Sequence, residues 1–228
     1  KADDAASAFE RYDLVSAPVV DTNDKLVGRV TVDEILDFVR ERGEEGVLAQ
    51  AGLREEEDVF ASVWKSFQNR WTWLAINLVT AFIASRVIGV FEGSIEKLVA
   101  LAALMPIVAG IGGNSGNQTI TMIVRAVALG QVAREHARVL IRKEILVALA
   151  NGVVWGGVMG LVAMMLYRDV ALGLVMILAM TLNLMLAASM GVLITMTMLK
   201  FGREPALGSS VLITAVTDSG EFFIFLGL

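Results

Sequence analysis

From about residue 70 to its end, the chain is a succession of long apolar runs broken by short polar stretches. Runs near 70–91, 97–124, 142–166, 170–199 and 206–228 each have the length needed to cross about 30 Å of hydrocarbon as a helix. The pattern predicts five membrane helices. The last run is marginal in length and carries Asp218 and Glu221. Carboxylates are expensive against lipid, so this helix is expected inside a bundle.

Before residue 43 the pattern changes to short elements of an α/β fold. Ala5–Tyr12 reads as a short helix, Ala17–Val20 as a strand and Leu26–Val30 as the returning strand, with turn chemistry at Asp21-Thr22-Asn23-Asp24. Thr31 followed by Glu34 forms a capping box, and Val32, Ile35, Leu36 and Val39 give the next helix an apolar face. A fragment this small cannot bury a core alone, so it is expected to need further sequence or a partner. Residues 43–69 read as a connecting helix, acidic at Glu44, Glu45, Glu55, Glu56, Glu57 and Asp58. Those acids are either a solvated helix face or a cation-binding cluster. The expected plan is a partial α/β fragment (1–42), an acidic connecting helix (43–69) and a five-helix membrane domain (70–228). Lys1 opens on mid-domain sequence with no signal-peptide pattern, so the chain is expected to be a piece of a longer protein.

Composition agrees with the membrane reading. Hydrophobic residues make up 56% of the chain, and the mean hydropathy of +0.66 is far above that of an ordinary soluble domain. Acids outnumber bases over 1–67 and bases outnumber acids over 68–228, so the net charge of −5 describes neither part. No basic stripe with interleaved aromatics occurs, which argues against a nucleic-acid partner. Orientation follows the positive residues. Lys65, Arg70, Arg125, Arg134, Arg138, Arg142, Lys143, Lys200 and Arg203 fall on one side, and Arg86, Lys97 and Arg168 on the other. The richer side is expected in the cytoplasm together with the N-terminal part, and five spans then leave the C-terminus outside.

Two polar stretches interrupt the apolar pattern. The first runs from Pro106 through Gly110, Gly112, Gly113, Asn114, Ser115, Gly116, Asn117 and Gln118. Close helix packing explains the glycines but not three amides and a serine in five residues, so Gly112, Gly113, Asn114, Asn117 and Gln118 are candidate pore-lining positions. Proline and glycine are also expected to leave backbone carbonyls available. The second stretch places Ser210, Thr214, Thr217, Asp218 and Glu221 at helical spacings of three and four, on one face. The competing reading is a buried salt bridge to Arg86 or Arg125, but those arginines lie near span ends and can snorkel.

The donor set is oxygen alone. Carboxylate, amide, hydroxyl and carbonyl ligands suit hard cations such as magnesium or calcium. There is no cysteine, and the single histidine, His136, lies in a basic loop, so thiolate and imidazole sites are excluded. An intramembrane hydrolase would need a base or nucleophile beside the aspartate, and only the Asp218–Glu221 pair could serve. Asn77, Asn151 and Asn183 read as interhelical hydrogen-bonding residues, and the methionines as packing or lipid-facing ones.

The motif Pro106-x-x-x-Gly110-x-Gly112-Gly113-Asn114-x-Gly116-x-Gln118 closely resembles the second span of the MgtE family of magnesium channels. Thr217-Asp218 with Phe225-Leu226-Gly227-Leu228 resembles that family's fifth span, and residues 1–42 resemble the end of a CBS domain. The resemblance implies an all-α membrane bundle of five transmembrane helices per subunit, preceded by an acidic plug helix and a partial CBS fragment. It implies a homodimer with one pore on the two-fold axis, Mg2+ as transported and regulatory ion, and ATP as a candidate ligand of the CBS region. Asp218 matches the pore aspartate that holds hydrated magnesium. Thr214 and Ser210 would lie cytoplasmic of it, and Gly112, Gly113 and Asn114 would face it. Glu204 occupies a position acidic in the family and would share an inner site with Glu45. Glu221 departs from the family pattern, which has glycine there, and would enlarge the ion site one turn from Asp218. The implied activity is passive, magnesium-gated uptake. The alternative is coupled exchange with sodium or protons, for which Glu221 is the natural group.

Overall fold

The computed structural model describes residues 2–50, 60–128, 137–201 and 209–228. The chain divides into two units, Lys1–Phe60 and Ala61–Leu228.

In the first unit, α1 (Ala2–Tyr12) leads to β1 (Ser16–Val20), β2 (Leu26–Thr31) and α2 (Val32–Gln50). The strands pair antiparallel, Ala17 opposite Val30 and Val19 opposite Gly28, with an irregularity at Val19/Val20. Asp21 shapes the turn: its Oδ1 accepts from the backbone N–H of Asn23 (2.8 Å) and of Lys25 (3.0 Å). The capping box forms as expected. Glu34 Oε2 accepts from the Thr31 backbone N–H at 2.6 Å and from Thr31 Oγ1 at 3.0 Å. These bonds, the backbone one foremost, hold the Glu34 carboxyl below its ordinary range. The stabilisation is complete above the ordinary glutamate range and is lost as pH falls through the lowered value.

α2 does not end at residue 42. It runs on to Gln50, so the expected boundary between fragment and connecting helix falls inside one continuous helix. Gly43 costs a helix about 1 kcal/mol but does not end it without a following breaker. Phe9 and Ile35 are the buried apolar residues of this unit among those described, while Val15, Leu26, Val27 and Leu36 stay exposed. This is the shortfall of core expected of so small a fragment.

The second unit is helical: α3 (Val63–Val90), α4 (Glu92–Lys97), α5 (Ala100–Ala128), α6 (Ala137–Tyr167), α7 (Val170–Lys200) and α8 (Ser209–Gly227). Among the described residues, α3, α6 and α7 are long and apolar enough to cross a membrane. α5 and α8, which carry the polar stretches, are not among them. The short α4 was not expected; it takes up Lys97, where the second run was expected to begin. Asp169 caps α7, its Oδ1 accepting from Ala171 N–H (2.8 Å) and Leu172 N–H (3.2 Å).

α7 is the hub. It packs against α5, α6 and α8, and α3 packs on α8. Met176, Ala179 and Met180 of α7 are fully buried in one core with Leu104 and Val108 of α5 and Phe225 of α8, and Val192 of α7 is fully buried in a second cluster with Ile123 of α5. Met176 and Met180 are the packing methionines the sequence predicts, whereas Met165 is exposed. The α6–α7 contact is close because Gly152, Gly156 and Gly160 present a bare ridge to α7. A side chain at Gly156 would come within 3.0 Å of the Ile177 carbonyl oxygen. Gly156→Val should therefore destabilise the bundle by about 1–3 kcal/mol, read as a lower Tm in detergent. An unchanged Tm would mean the two helices are not in this contact.

Candidate cation path on α5 and α8

α5 continues through Pro106 and the whole glycine-rich stretch as one helix. The expected release of backbone carbonyls by the glycines is therefore not seen, because those carbonyls serve the helix's own hydrogen bonds. What glycine supplies instead is close approach. A side chain at Gly112 would land on the carboxylate of Glu221, and one at Gly116 would meet Ile213 at 2.8 Å, so α5 and α8 touch at these two points. Gly113 and Gly110 face open space.

The stretch is thus divided by helical geometry. Gly112 and Gly116 are buried against α8, whereas Asn114, Asn117 and Gln118 are exposed on other faces of α5. Asn114 and Gln118, one turn apart, open into a cavity of about 440 Å³ shared with α6 and α7.

α8 is divided as well. Ile213, Thr217, Glu221 and Phe225, at steps of four, are all buried. Thr214 and Asp218 form the neighbouring row and are only half-buried. The single polar face expected of this helix is therefore two rows, one sealed in the bundle and one partly open. Thr217 Oγ1 donates to the Thr214 carbonyl at 3.3 Å, which satisfies its hydroxyl within the helix. Glu221 is 0% exposed, and neither carboxylate oxygen has a hydrogen-bond partner. It is sealed inside the bundle. Asn183 of α7 is packed beside it: its Nδ2 donates to the Glu221 backbone carbonyl at 3.4 Å, while its own Oδ1 is unpartnered. Asn183 is thereby the interhelical residue the sequence predicts. Asn151 is not: its amide donates at 3.0 Å to the Val147 carbonyl of its own helix, and its side chain lines the open cavity beside α5 and α7.

Glu204 lies outside the described residues, as do the side chains of Glu45 and Ser210 and the whole of His136. Among the described residues no group of three or more Asp, Glu, His or Cys side chains converges to hold a metal. A cation at Asp218 would accordingly rely on retained waters and on a second carboxylate from elsewhere.

One buried acid escaped the sequence reading. Glu144 of α6 is 7% exposed, accepts from Thr119 Oγ1 at 3.4 Å and lies 3.6 Å from Lys143 Nζ. Its signal was register: Glu144, Ala148, Gly152, Gly156 and Gly160 are spaced by four and share the buried face of α6.

Residues 105–228 match the family model MgtE, described as a divalent cation transporter. The chain belongs to the MgtE family. Residues 1–41 match the CBS domain. Three curated members are similar along 99% of the chain: the magnesium transporters MgtE of Bacillus subtilis and Enterococcus faecalis, each 29% identical over 226 residues, and that of Thermus thermophilus, 29% identical over 241. The chain spans about half the length of these MgtE relatives. The MgtE match takes in both polar stretches, so the α5–α8 contact at Gly112 and Glu221 lies within the family region.

Proposed function

We propose that the protein passes magnesium across a membrane along a path lined by α5 and α8, with Asp218 as the ion-holding group. The observation that carries the reading is a half-buried carboxylate on a helix packed directly against a glycine- and amide-rich partner, within a region matching a divalent cation transporter model. In this reading α3, α5, α6, α7 and α8 are the five spans. Residues 1–42 belong to a CBS region that is a candidate for ATP, residues 43–69 act as the plug segment, and residues 70–228 form the pore domain. The protein works as a homodimer in the cell's inner or plasma membrane, with its N-terminus in the cytoplasm and its C-terminus outside. Two Asp218 carboxylates on a two-fold axis match the charge of a divalent ion. Magnesium sheds water reluctantly, so a site that holds it through water also lets it leave. Gly113, Asn117, Thr214 and Ser210 contribute to the wall, while Thr217 is sealed behind it and Asn114 and Gln118 open into the cavity shared with α6 and α7. Glu204 and Glu45 form an inner regulatory site, at which cytosolic magnesium favours the closed state only by binding it better than the open one.

A second reading, exchange of magnesium for sodium or protons, is favoured by Glu221, a sealed carboxylate without a partner. Currents through the full-length protein in planar bilayers separate the two. Passive conduction requires reversal at the magnesium equilibrium potential whatever the sodium gradient and pH. A reversal potential that moves with either gradient establishes coupling and removes the channel reading.

A further inference from the structure

The cavity between α5, α6 and α7 lies apart from the row that carries Asp218, and among the described residues its one carboxylate is Glu144. Glu144 is poorly served for a buried acid. A carboxylate offers about four acceptor positions, yet its partners here are a hydroxyl at 3.4 Å and an ammonium at 3.6 Å. Lys143 is its sequence neighbour, and adjacent residues on a helix do not face one another. The lysine side chain is also 59% exposed, so it reaches Glu144 from the rim and is free to swing away. Around the carboxylate, the cavity adds the amides of Asn114, Gln118 and Asn151. The Asn151 nitrogen is committed to Val147, which leaves its oxygen as acceptor. Apart from Lys143, the polar part of the wall carries oxygen acceptors and one negative charge, set among the apolar side chains of Ile111, Met122, Val147 and Leu184.

Size fits a hydrated ion. Six waters occupy on the order of 180 Å³, and the cavity holds about 440 Å³. Mg2+ keeps most of its waters and needs only one or two carboxylates.

We propose that this cavity is a second cation site in each subunit, where Glu144 and the amides of Asn114, Gln118 and Asn151 hold a hydrated divalent cation that competes with the Lys143 ammonium. The proposal rests on the transport reading only for its cargo. On the orientation proposed above, the site sits at the cytoplasmic end of α6, where an arriving or departing ion pauses. Lys143 makes it a weak site, suited to an ion that must move on.

Trp155 lines the same cavity and supplies a native probe. The experiment titrates the full-length protein in detergent with Mn2+ and takes the part of the tryptophan quenching that disappears in Trp155→Phe. That part is expected to saturate, to be reversed by Mg2+, and to persist in Asp218→Asn. Glu144→Gln should raise the half-saturating Mn2+ concentration by about tenfold or more, and Lys143→Gln should lower it by about threefold to tenfold. The opposite shifts guard against a folding defect, which would not tighten binding. Absent Trp155-dependent quenching, quenching indifferent to Glu144→Gln, failure of Lys143→Gln to tighten, or loss in Asp218→Asn would each overturn the site. Magnesium flux into liposomes is measured in parallel: absent flux in the wild type defeats the transport reading while the quenching still reports on this cavity.

Discussion

On the proposed reading, Asp218→Asn in the full-length protein, reconstituted in liposomes, should cut magnesium influx by well over tenfold while the protein still folds as the proposed dimer. The substitution keeps shape and hydrogen-bonding capacity and removes only charge. A divalent ion about 5 Å from a carboxylate gains on the order of 2 kcal/mol even in bulk water, and more in the lower dielectric of a bundle. In a dimer both copies are lost at once, so the path loses two such terms where the ion must be drawn from solvent. Asp218 is the acidic group of the partly open row of α8; Glu221, three residues on, is sealed. Wild-type flux in Asp218→Asn, with size-exclusion chromatography showing an intact dimer, would remove Asp218 from the path. Loss of the dimer as well would recast the residue as structural.

Much of this arrangement is legible in the sequence. The capping box at Thr31 and Glu34 is a local device, specified by spacing alone, and it forms as expected. The apolar runs that became α6 and α7 were equally plain, because length and hydropathy suffice for them. The rows of α8 were not. Spacings of three and four place Thr214, Thr217, Asp218 and Glu221 on a face about 100° wide. Which edge of that face is sealed depends on α5 and α7, and no local rule states it. At Gly112 the sequence states close approach but not its partner: the backbone remains helical and the missing side chain makes room for Glu221. Glu144 follows Arg142 and Lys143, so by local sequence it reads as the charged end of a span. Its four-residue register with the Gly152–Gly156–Gly160 ridge carried the contrary information.

The contact between Gly112 and Glu221 yields the second large expected effect, and it is one that pairs two mutations. Gly112→Ala places a methyl group where the Glu221 carboxylate now lies. Glu221 is itself 0% exposed, so its carboxylate can retreat only into the close-packed interior of the bundle. Overpacking of this kind costs about 1–3 kcal/mol, so Gly112→Ala should lower the Tm of the detergent-solubilised protein clearly. Gly113→Ala is the matched control, since a side chain there meets nothing within 4 Å; it should leave Tm nearly unchanged. Glu221→Ala removes the obstructing carboxylate together with two buried oxygens that lack partners. The double variant Gly112→Ala/Glu221→Ala should then recover most of the stability lost by Gly112→Ala, with a coupling of about 1–3 kcal/mol between the two positions. Additive effects would mean that the helices do not meet at this point. A cost for Gly113→Ala equal to that of Gly112→Ala would mean that α5 is rotated, with the other glycine against α8. The rescue matters for function because the same contact sets the rotation of α8, and that rotation decides whether Asp218 or Glu221 stands in the open row.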